Sequence, residues 1–167
     1  SDGSCTSIPA DIPDTVTIEV THKGDWLGNT SNWIDAVNWC EGIVPTSTTD
    51  VNIPTGTSIM PIITSSVNCN SITINTGDTL TIAGAGTLNI AGTLINFGVY
   101  LDNGTTNFNG TSGQQTFSGV TTFNNLTLSN NSGLLLPVAV VVKNNLTITA
   151  GILNANNLNI AVKGNWV

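Results

Sequence analysis

A short alternation of apolar and polar residues recurs along the chain. The segments "NNLTL" (124–128), "NNLTI" (144–148) and "NNLNI" (156–160) are near copies, and "NSITI" (70–74), "TLTIAG" (79–84) and "TLNIAG" (87–92) are related to them. Apolar residues two positions apart lie on one face of a β-strand. Asn and Gly at the ends of each segment favour tight turns. The pattern therefore predicts many short strands separated by corners.

Two spacings organise these strands. Ile72, Leu80 and Leu88 follow one another at a short, constant interval, which indicates neighbouring strands within one coil. A longer interval is predicted to separate equivalent positions on successive coils: Leu88, Phe108, Leu126, Leu146 and Trp166. Short strands repeated with a period of about 20 residues are typical of a solenoid. We therefore expect an all-β fold, a right-handed parallel β-helix (β-solenoid) of about five coils over residues 70–167.

An antiparallel β-sandwich is the alternative architecture. It also contains short strands at spacings of about 8 to 12 residues. Its hairpins would need turns of the Asn-Gly type, and the chain offers them at Asn103-Gly104 and Asn109-Gly110. The similarity of the segments to one another favours the solenoid, because the strands of a sandwich are not equivalent repeats and need not share one sequence.

The first part of the chain does not repeat. Residues 24–54 hold three of the four Trp residues, Trp26, Trp33 and Trp39. A solenoid needs an atypical end, because its first coil would otherwise expose an apolar interior. We expect residues 1–69 to form an N-terminal tail and Trp-rich cap, and residues 70–167 to form coils that are incomplete at the C-terminus. The alternative for the three Trp residues is an aromatic platform that contacts glycans.

Composition excludes several classes of partner. Hydrophobic residues make up 40% of the chain and charged residues only 8%, while Thr (26) and Asn (23) supply most of the polar surface. A net charge of -7, with three Lys and no Arg, argues against nucleic acid and anionic lipid surfaces. Every apolar run is shorter than a membrane-spanning helix, which needs about 20 residues, so the sequence predicts no insertion into a membrane.

The residues needed for catalysis are sparse. His22 is the single His, and no GxSxG segment is present. Asp78 and Asp102 are the only acids after residue 54, and both fall in predicted turns. A further group of acids lies in the predicted cap, where capping and turn roles are expected: Asp25, Asp35, Glu41 and Asp50. No calcium repeat, phosphate loop or metal-binding cysteine pair is present. The sequence predicts a protein that is not an enzyme and holds no cofactor and no metal.

A group of motifs carries a resemblance to a known class of proteins. The pattern combines Trp26, the pair Asn38 and Trp39, and Gly42 with "DVNIP" (50–54) and "FNGTSGQQTFSGVTTFNNLTL" (108–128). It resembles the β-helical segments of large secreted or cell-surface adhesin-like proteins of Bacteroidota, which are exported by the type IX secretion system. The resemblance covers the chain from about residue 24 and is specific for architecture rather than for activity.

The resemblance implies a function and a location. We expect a non-catalytic extracellular module, a stalk or adhesin segment of a secreted or surface-attached protein. Its partners would be surface glycans or a neighbouring cell surface, and the export machinery of the outer membrane. The alternative is a carbohydrate-binding or polysaccharide-degrading β-helix protein.

The resemblance also implies covalent features. It suggests a disulfide between Cys40 and Cys69, with Cys5 left free or paired elsewhere. Three buried thiols are the alternative for these residues. The "DTV" and "DTL" segments make Thr15 and Thr79 candidates for O-glycosylation. Rows of outward Thr residues suggest one further possibility. Residues such as Thr73, Thr81 and Thr127 would form a flat face that binds ice.

Overall fold

The computed structural model describes residues 23–167 and is almost entirely β-structure. Two short 3-10 turns, Ala36–Asn38 and Cys40–Gly42, come before the first strand. The strands in chain order are β1 Val51–Ile53, β2 Ile62–Ile63, β3 Ser66–Cys69, β4 Ile72–Ile74, β5 Thr79–Ile82, β6 Thr87–Ile90, β7 Leu94–Asn96, β8 Val99–Asp102, β9 Thr105–Phe108, β10 Phe117–Ser118, β11 Thr122–Phe123, β12 Asn125–Ser129, β13 Leu134–Leu135, β14 Val140–Val142, β15 Leu146–Ala150, β16 Leu153–Asn154 and β17 Ile160–Val162.

The strands stack into five parallel sheets. Sheet I has the order β1-β4-β7-β10, sheet II β2-β5-β8, sheet III β3-β6-β9-β12-β15, sheet IV β13-β16 and sheet V β11-β14-β17. Every pairing between these strands is parallel, and successive turns of the chain lie on one another, which makes a β-solenoid of about six turns. The predicted β-helix is therefore confirmed, and the antiparallel sandwich is wrong.

The shorter spacing corresponds to one strand in each of three sheets. Ile72 lies in β4 of sheet I, Leu80 in β5 of sheet II and Leu88 in β6 of sheet III. All three side chains are fully buried. Each coil therefore turns two corners between these positions and sends one alternating apolar face inward at every strand.

The longer spacing was predicted with an error of two residues at one position. Leu88 pairs with Thr106 rather than Phe108, and Thr106 pairs with Leu126. Phe108 itself lies between Ile90 and Leu128. The prediction missed this register because a polar residue, Thr106, occupies an inward position that the apolar pattern reserves for an aliphatic side chain. The later equivalences, Leu126 with Leu146 and Leu146 with Trp166, agree with the structure.

The solenoid begins earlier than expected. Strands β1, β2 and β3 lie within residues 51–69, and each pairs with a strand of the following turn. The expected boundary between residues 69 and 70 therefore lies between the first and second turns of the solenoid. It does not separate the cap from the coils. Within the described residues the cap comprises 23–50, and it joins the first turn through an isolated bridge between Asp25 and Asn52.

The three Trp residues of the cap form one packed cluster. Trp26, Trp33 and Trp39 are each at most 1% exposed and belong to the same core as the first turn. The ring centroids of Trp39 lie 5.0 Å from Trp26 and 4.7 Å from Trp33, in edge-to-face arrangements. The indole N–H of Trp39 donates to the Trp33 carbonyl at 2.7 Å. These side chains seal the solenoid, and their burial contradicts the alternative of an exposed sugar platform.

The cysteines differ from the predicted pairing. Cys69 is a free thiol on the inner face of β3, whereas Cys40 is disulfide-bonded. The predicted Cys40–Cys69 disulfide is therefore wrong, as is the alternative of three thiols. The error has a physical cause, since Cys69 points into the coil as the last inward residue of a strand and simply fills the core. Cys5 lies outside the described residues.

Candidate binding surfaces of the solenoid

The outward face of sheet III is a regular polar surface. Apart from Ala150, which pairs with Ser129 at a bulge, its outward residues are Ser, Thr or Asn: Ser66, Asn68, Thr87, Asn89, Thr105, Asn107, Asn125, Thr127, Ser129, Thr147 and Thr149. Inward neighbours on the same strands are mostly Val, Leu, Ile and Phe. With strands about 4.8 Å apart, five of them span roughly 19 Å. We call this surface the sheet III face.

Side-chain hydrogen bonds link neighbouring turns along the sheet III face. Asn107 Nδ2 donates to Asn89 Oδ1 at 2.9 Å, and Ser129 Oγ donates to Asn107 Oδ1 at 3.0 Å. Thr149 Oγ1 lies 2.9 Å from Ser129 Oγ, which extends the chain of contacts to a fourth strand. These bonds hold the side chains in fixed rotamers, so that a partner would not have to order them on binding.

The Thr residues proposed for a single flat face lie on different sides of the solenoid. Thr73 is on sheet I, Thr81 on sheet II and Thr127 on sheet III. The prediction of one Thr face from these residues is wrong, because the chain turns a corner between consecutive repeats. The sheet III face could have been found from the polar residues that alternate with the apolar positions of equivalent strands, since a register error of two residues at β9 leaves the same side chains outward.

Asp102 lies at the centre of a buried polar cluster. Its Oδ2 accepts from Thr106 Oγ1 at 2.8 Å, and its Oδ1 accepts from the Gly104 N–H at 3.0 Å. The hydroxyl groups of Tyr100 and Thr106 are 2.7 Å apart. Burial raises the pKa of the Asp102 carboxyl above its ordinary value of 3.8, although the hydrogen bonds from Thr106, Asn124 and Gly104 act in the opposite direction. Burial likewise raises the pKa of Tyr100 well above 10.

Asp78 is the other acid of the coils and is also fully buried. Its Oδ1 accepts from Thr57 Oγ1 at 3.1 Å, and its main chain closes the turn through a bond from Asp78 N to Asn75 O. Its Oδ2 is buried without a hydrogen-bond partner. Asp78 and Asp102 thus face the interior at two separate corners rather than sharing an accessible surface.

The acids of the cap are engaged in local structure. Asp35 caps the first 3-10 turn by accepting from Val37 N, and Asp50 Oδ1 accepts from Asn70 Nδ2 and Ser71 N. An open depression of about 640 Å³ lies beside them, lined by residues of the cap and of sheet I that include Lys23, Asp25 and Asp50. In the described range 23–167 no three His, Cys, Asp or Glu side chains are grouped as metal ligands.

The two glycosylation candidates have different standing. Thr15 lies outside the described residues, as does His22. Thr79 is the first residue of β5 and is half-buried beside Asp78. Modification at Thr79 stays a prediction.

The helical segments in the described part of the chain are single 3-10 turns, so none has the length and apolarity to cross a membrane.

Comparisons with known proteins add no relative. No protein-family model, curated protein or solved structure matches this chain. Functional inference therefore depends on the surfaces described above.

Proposed function

We propose that the chain is a non-catalytic structural and adhesive module, a stalk or adhesin segment of a secreted or surface-attached bacterial protein. The observation that carries this proposal is the sheet III face, in which all outward side chains except that of Ala150 are neutral hydrogen-bonding groups. Such a face is repeated at each turn of a rigid rod. It would make many weak, identical contacts with a repetitive neutral partner, and multivalency would give them useful strength.

Surface glycans are the class of partner that fits this face. Their hydroxyl groups donate and accept hydrogen bonds, as do the Ser, Thr and Asn side chains opposite them. An anionic partner would need Lys or Arg, and the sheet III face carries neither. The regular spacing of the strands also favours a partner that is itself a repeating polymer.

Two further observations support a non-catalytic role outside the cytoplasm. Asp78 and Asp102, the acids of the coils, are buried and hydrogen-bonded within the core instead of being presented to a substrate. The disulfide at Cys40 favours an oxidising compartment. Export through a type IX pathway is proposed from the resemblance of the repeats alone.

Adhesion under flow tests the proposal. Beads coated with the whole chain are expected to be retained on surfaces bearing neutral polysaccharides. Lysines introduced into the face, Asn107→Lys with Thr127→Lys, should reduce retention at least tenfold. The matched control, Thr79→Lys with Thr81→Lys, adds the same charge to sheet II and should leave retention unchanged. Equal loss in both variants, or no retention of the unmodified chain on any such surface, would contradict the proposal.

A further inference from the structure

The wall of the solenoid is interrupted between β8 and β11. β8 pairs with β5, and β11 pairs with β14, but within residues 23–167 no pairing joins β8 to β11. The two strands and the turns that precede them bound an open slot of about 300 Å³. This volume corresponds to roughly ten water molecules and lies at the lower end of the range for ligand sites.

The slot arises from a difference in chain length between two successive turns. Phe117 pairs with Leu94 in sheet I, and Asn125 pairs with Thr105 in sheet III. The earlier turn covers the distance between those sheets from Leu94 to Thr105, and the later one covers it with fewer residues, from Phe117 to Asn125. The shorter path cannot run beside the whole of β8. Backbone hydrogen bonds are therefore missing between β8 and the later turn, between the paired positions in sheets I and III.

Both ends of the slot are fixed by hydrogen bonds. At one end Asn96 Nδ2 donates to the Gly119 carbonyl at 2.9 Å. At the other end the Asn124 N–H donates to Asp102 Oδ2 at 3.2 Å, so that a side chain replaces the backbone acceptor of a regular ladder. Gly119 has φ +70°, and a Cβ added there would lie 1.8 Å from the Asn96 carbonyl oxygen. Only glycine fits this close approach, which makes the opening a defined feature of the wall.

The walls of the slot present unpaired backbone groups. Val99 N and Asn103 N donate hydrogen bonds to the preceding turn. In a parallel ladder, successive residues direct their N–H and C=O groups to opposite neighbouring strands, so the N–H and C=O of Tyr100 point toward the slot. On the opposite wall the carbonyls of Thr121 and Phe123 accept from the following turn, which turns the N–H and C=O of Thr122 toward the slot. Each wall therefore offers one donor and one acceptor.

The surroundings of the slot combine apolar and neutral polar groups. Val120 is buried against the core, and Val99 is exposed at the rim. Asn96 Oδ1 is buried without a hydrogen-bond partner. The lining residues carry no charge. A ligand of this slot should therefore be neutral, small, and rich in groups that both donate and accept hydrogen bonds.

We propose that the slot binds a single neutral sugar residue, such as the end of a glycan chain. Its hydroxyl groups would bond to the free backbone groups of Tyr100 and Thr122, while its C–H face would pack on Val99. This inference rests on the proposed function and assigns that function a specific recognition site. A purely apolar ligand would leave the backbone groups unpaired, which is costly. An added β-strand does not fit, because the slot is closed at both ends.

Titration of the full chain with simple glycosides, followed by amide NMR, tests the site. The probes are methyl glycosides of neutral hexoses and N-acetylhexosamines, with methyl glucuronide as the charged comparison. We expect saturable shifts at the Tyr100 and Thr122 amides at millimolar concentration for a neutral probe and none for the glucuronide. Thr121→Trp, which fills the slot from its exposed rim, should weaken binding at least tenfold. The matched variant Thr111→Trp, on the exposed corner between β9 and β10, should bind normally.

The outcomes separate this site from the adhesive function itself. Absence of shifts for every neutral probe, or unchanged binding in Thr121→Trp, overturns the slot as a sugar site. If the titration shows no sugar binding in the slot but coated beads are still retained under flow, the adhesive role of the sheet III face is still supported. Shifts confined to Asn107 and Thr127 would move recognition to that face and also overturn the inference.

Discussion

Thr106 Oγ1 donates a hydrogen bond to Asp102 Oδ2 across 2.8 Å in the interior of the solenoid. Thr106 stands where the turns on either side place Leu88 and Leu126. A single polar side chain in an aliphatic column thus supports a buried acid, and that acid in turn holds the Asn124 N–H at the end of the slot. The polar cluster of the core and the opening in the wall are parts of one arrangement.

The raised pKa of Asp102 predicts a pH dependence of stability. Because its pKa in the folded state lies above 3.8, the folded protein keeps this proton to a higher pH than the unfolded chain does. The stability contributed by the group is complete below pH 3.8 and is lost as the pH rises through the raised pKa. Denaturant unfolding measured across this pH range compares the unmodified protein with Asp102→Asn. The free energy of unfolding of the unmodified protein should exceed that of the variant by an amount that decreases as the pH rises. A constant or growing difference would contradict the pKa shift.

Removing the hydroxyl of Thr106 should move this pH dependence. Thr106→Val keeps the shape of the side chain but deletes a hydrogen bond that lowers the Asp102 pKa. The loss of stability with rising pH should therefore extend to higher pH than in the unmodified protein, and stability at neutral pH should fall by about 1–3 kcal/mol. Denaturant unfolding of both proteins at several pH values measures both effects. An unmoved pH profile would show that the bond does not control the carboxyl group.

The Trp cluster of the cap should dominate the stability of the N-terminal end. Trp39→Ala removes a fully buried ring that contacts both other Trp residues, and should cost about 3–5 kcal/mol in the free energy of unfolding. Trp166→Ala serves as the control, because that ring is 61% exposed and should cost less than about 1 kcal/mol. Chemical denaturation followed by circular dichroism compares them. Similar values for the two variants would mean that the cap does not seal the core.

The redox state of the cysteines can be read by mass spectrometry of the unreduced protein. Cys40 should appear in a disulfide-linked peptide, and Cys69 should appear as a free thiol. Burial raises the pKa of the Cys69 thiol, so alkylation should reach it only after unfolding. A linked peptide that joins Cys40 to Cys69, or rapid labelling of Cys69 in the folded protein, would contradict the structure.

The chain is expected to leave polysaccharides intact. Purified protein incubated with pectin, alginate, xylan or chondroitin should release no new reducing or unsaturated ends, because the acids of the coils are buried in the core. Variants Asp78→Asn and Asp102→Asn provide the comparison for any trace activity. Reproducible turnover by the unmodified protein that disappears in either variant would replace the adhesive proposal with an enzymatic one.

Sequence periodicity was enough to predict the solenoid because apolar side chains alternate at most strands. It also placed Ile72, Leu80 and Leu88 correctly on three successive sheets of one turn. The slot could not be predicted, because it depends on how many residues each turn uses between two sheets. That number is known only once pairs such as Phe117 with Leu94 are seen. Thr106 is polar, and in the sequence its inward direction is indicated only by its alternation with Phe108.

The pairing of sheet III stays in step while the turns differ in length. The inward partners in sequence are Val67, Leu88, Thr106, Leu126 and Leu146, and the chain between the first two is longer than the chain between any later pair. The pairing of sheet III is continuous despite this variation, although the wall opens between β8 and β11 where the path is short. Insertions and deletions at corners such as residues 111–114 should therefore be tolerated without disturbing sheet III. A scaffold of this kind can diversify its edges freely while one flat side keeps the same chemistry.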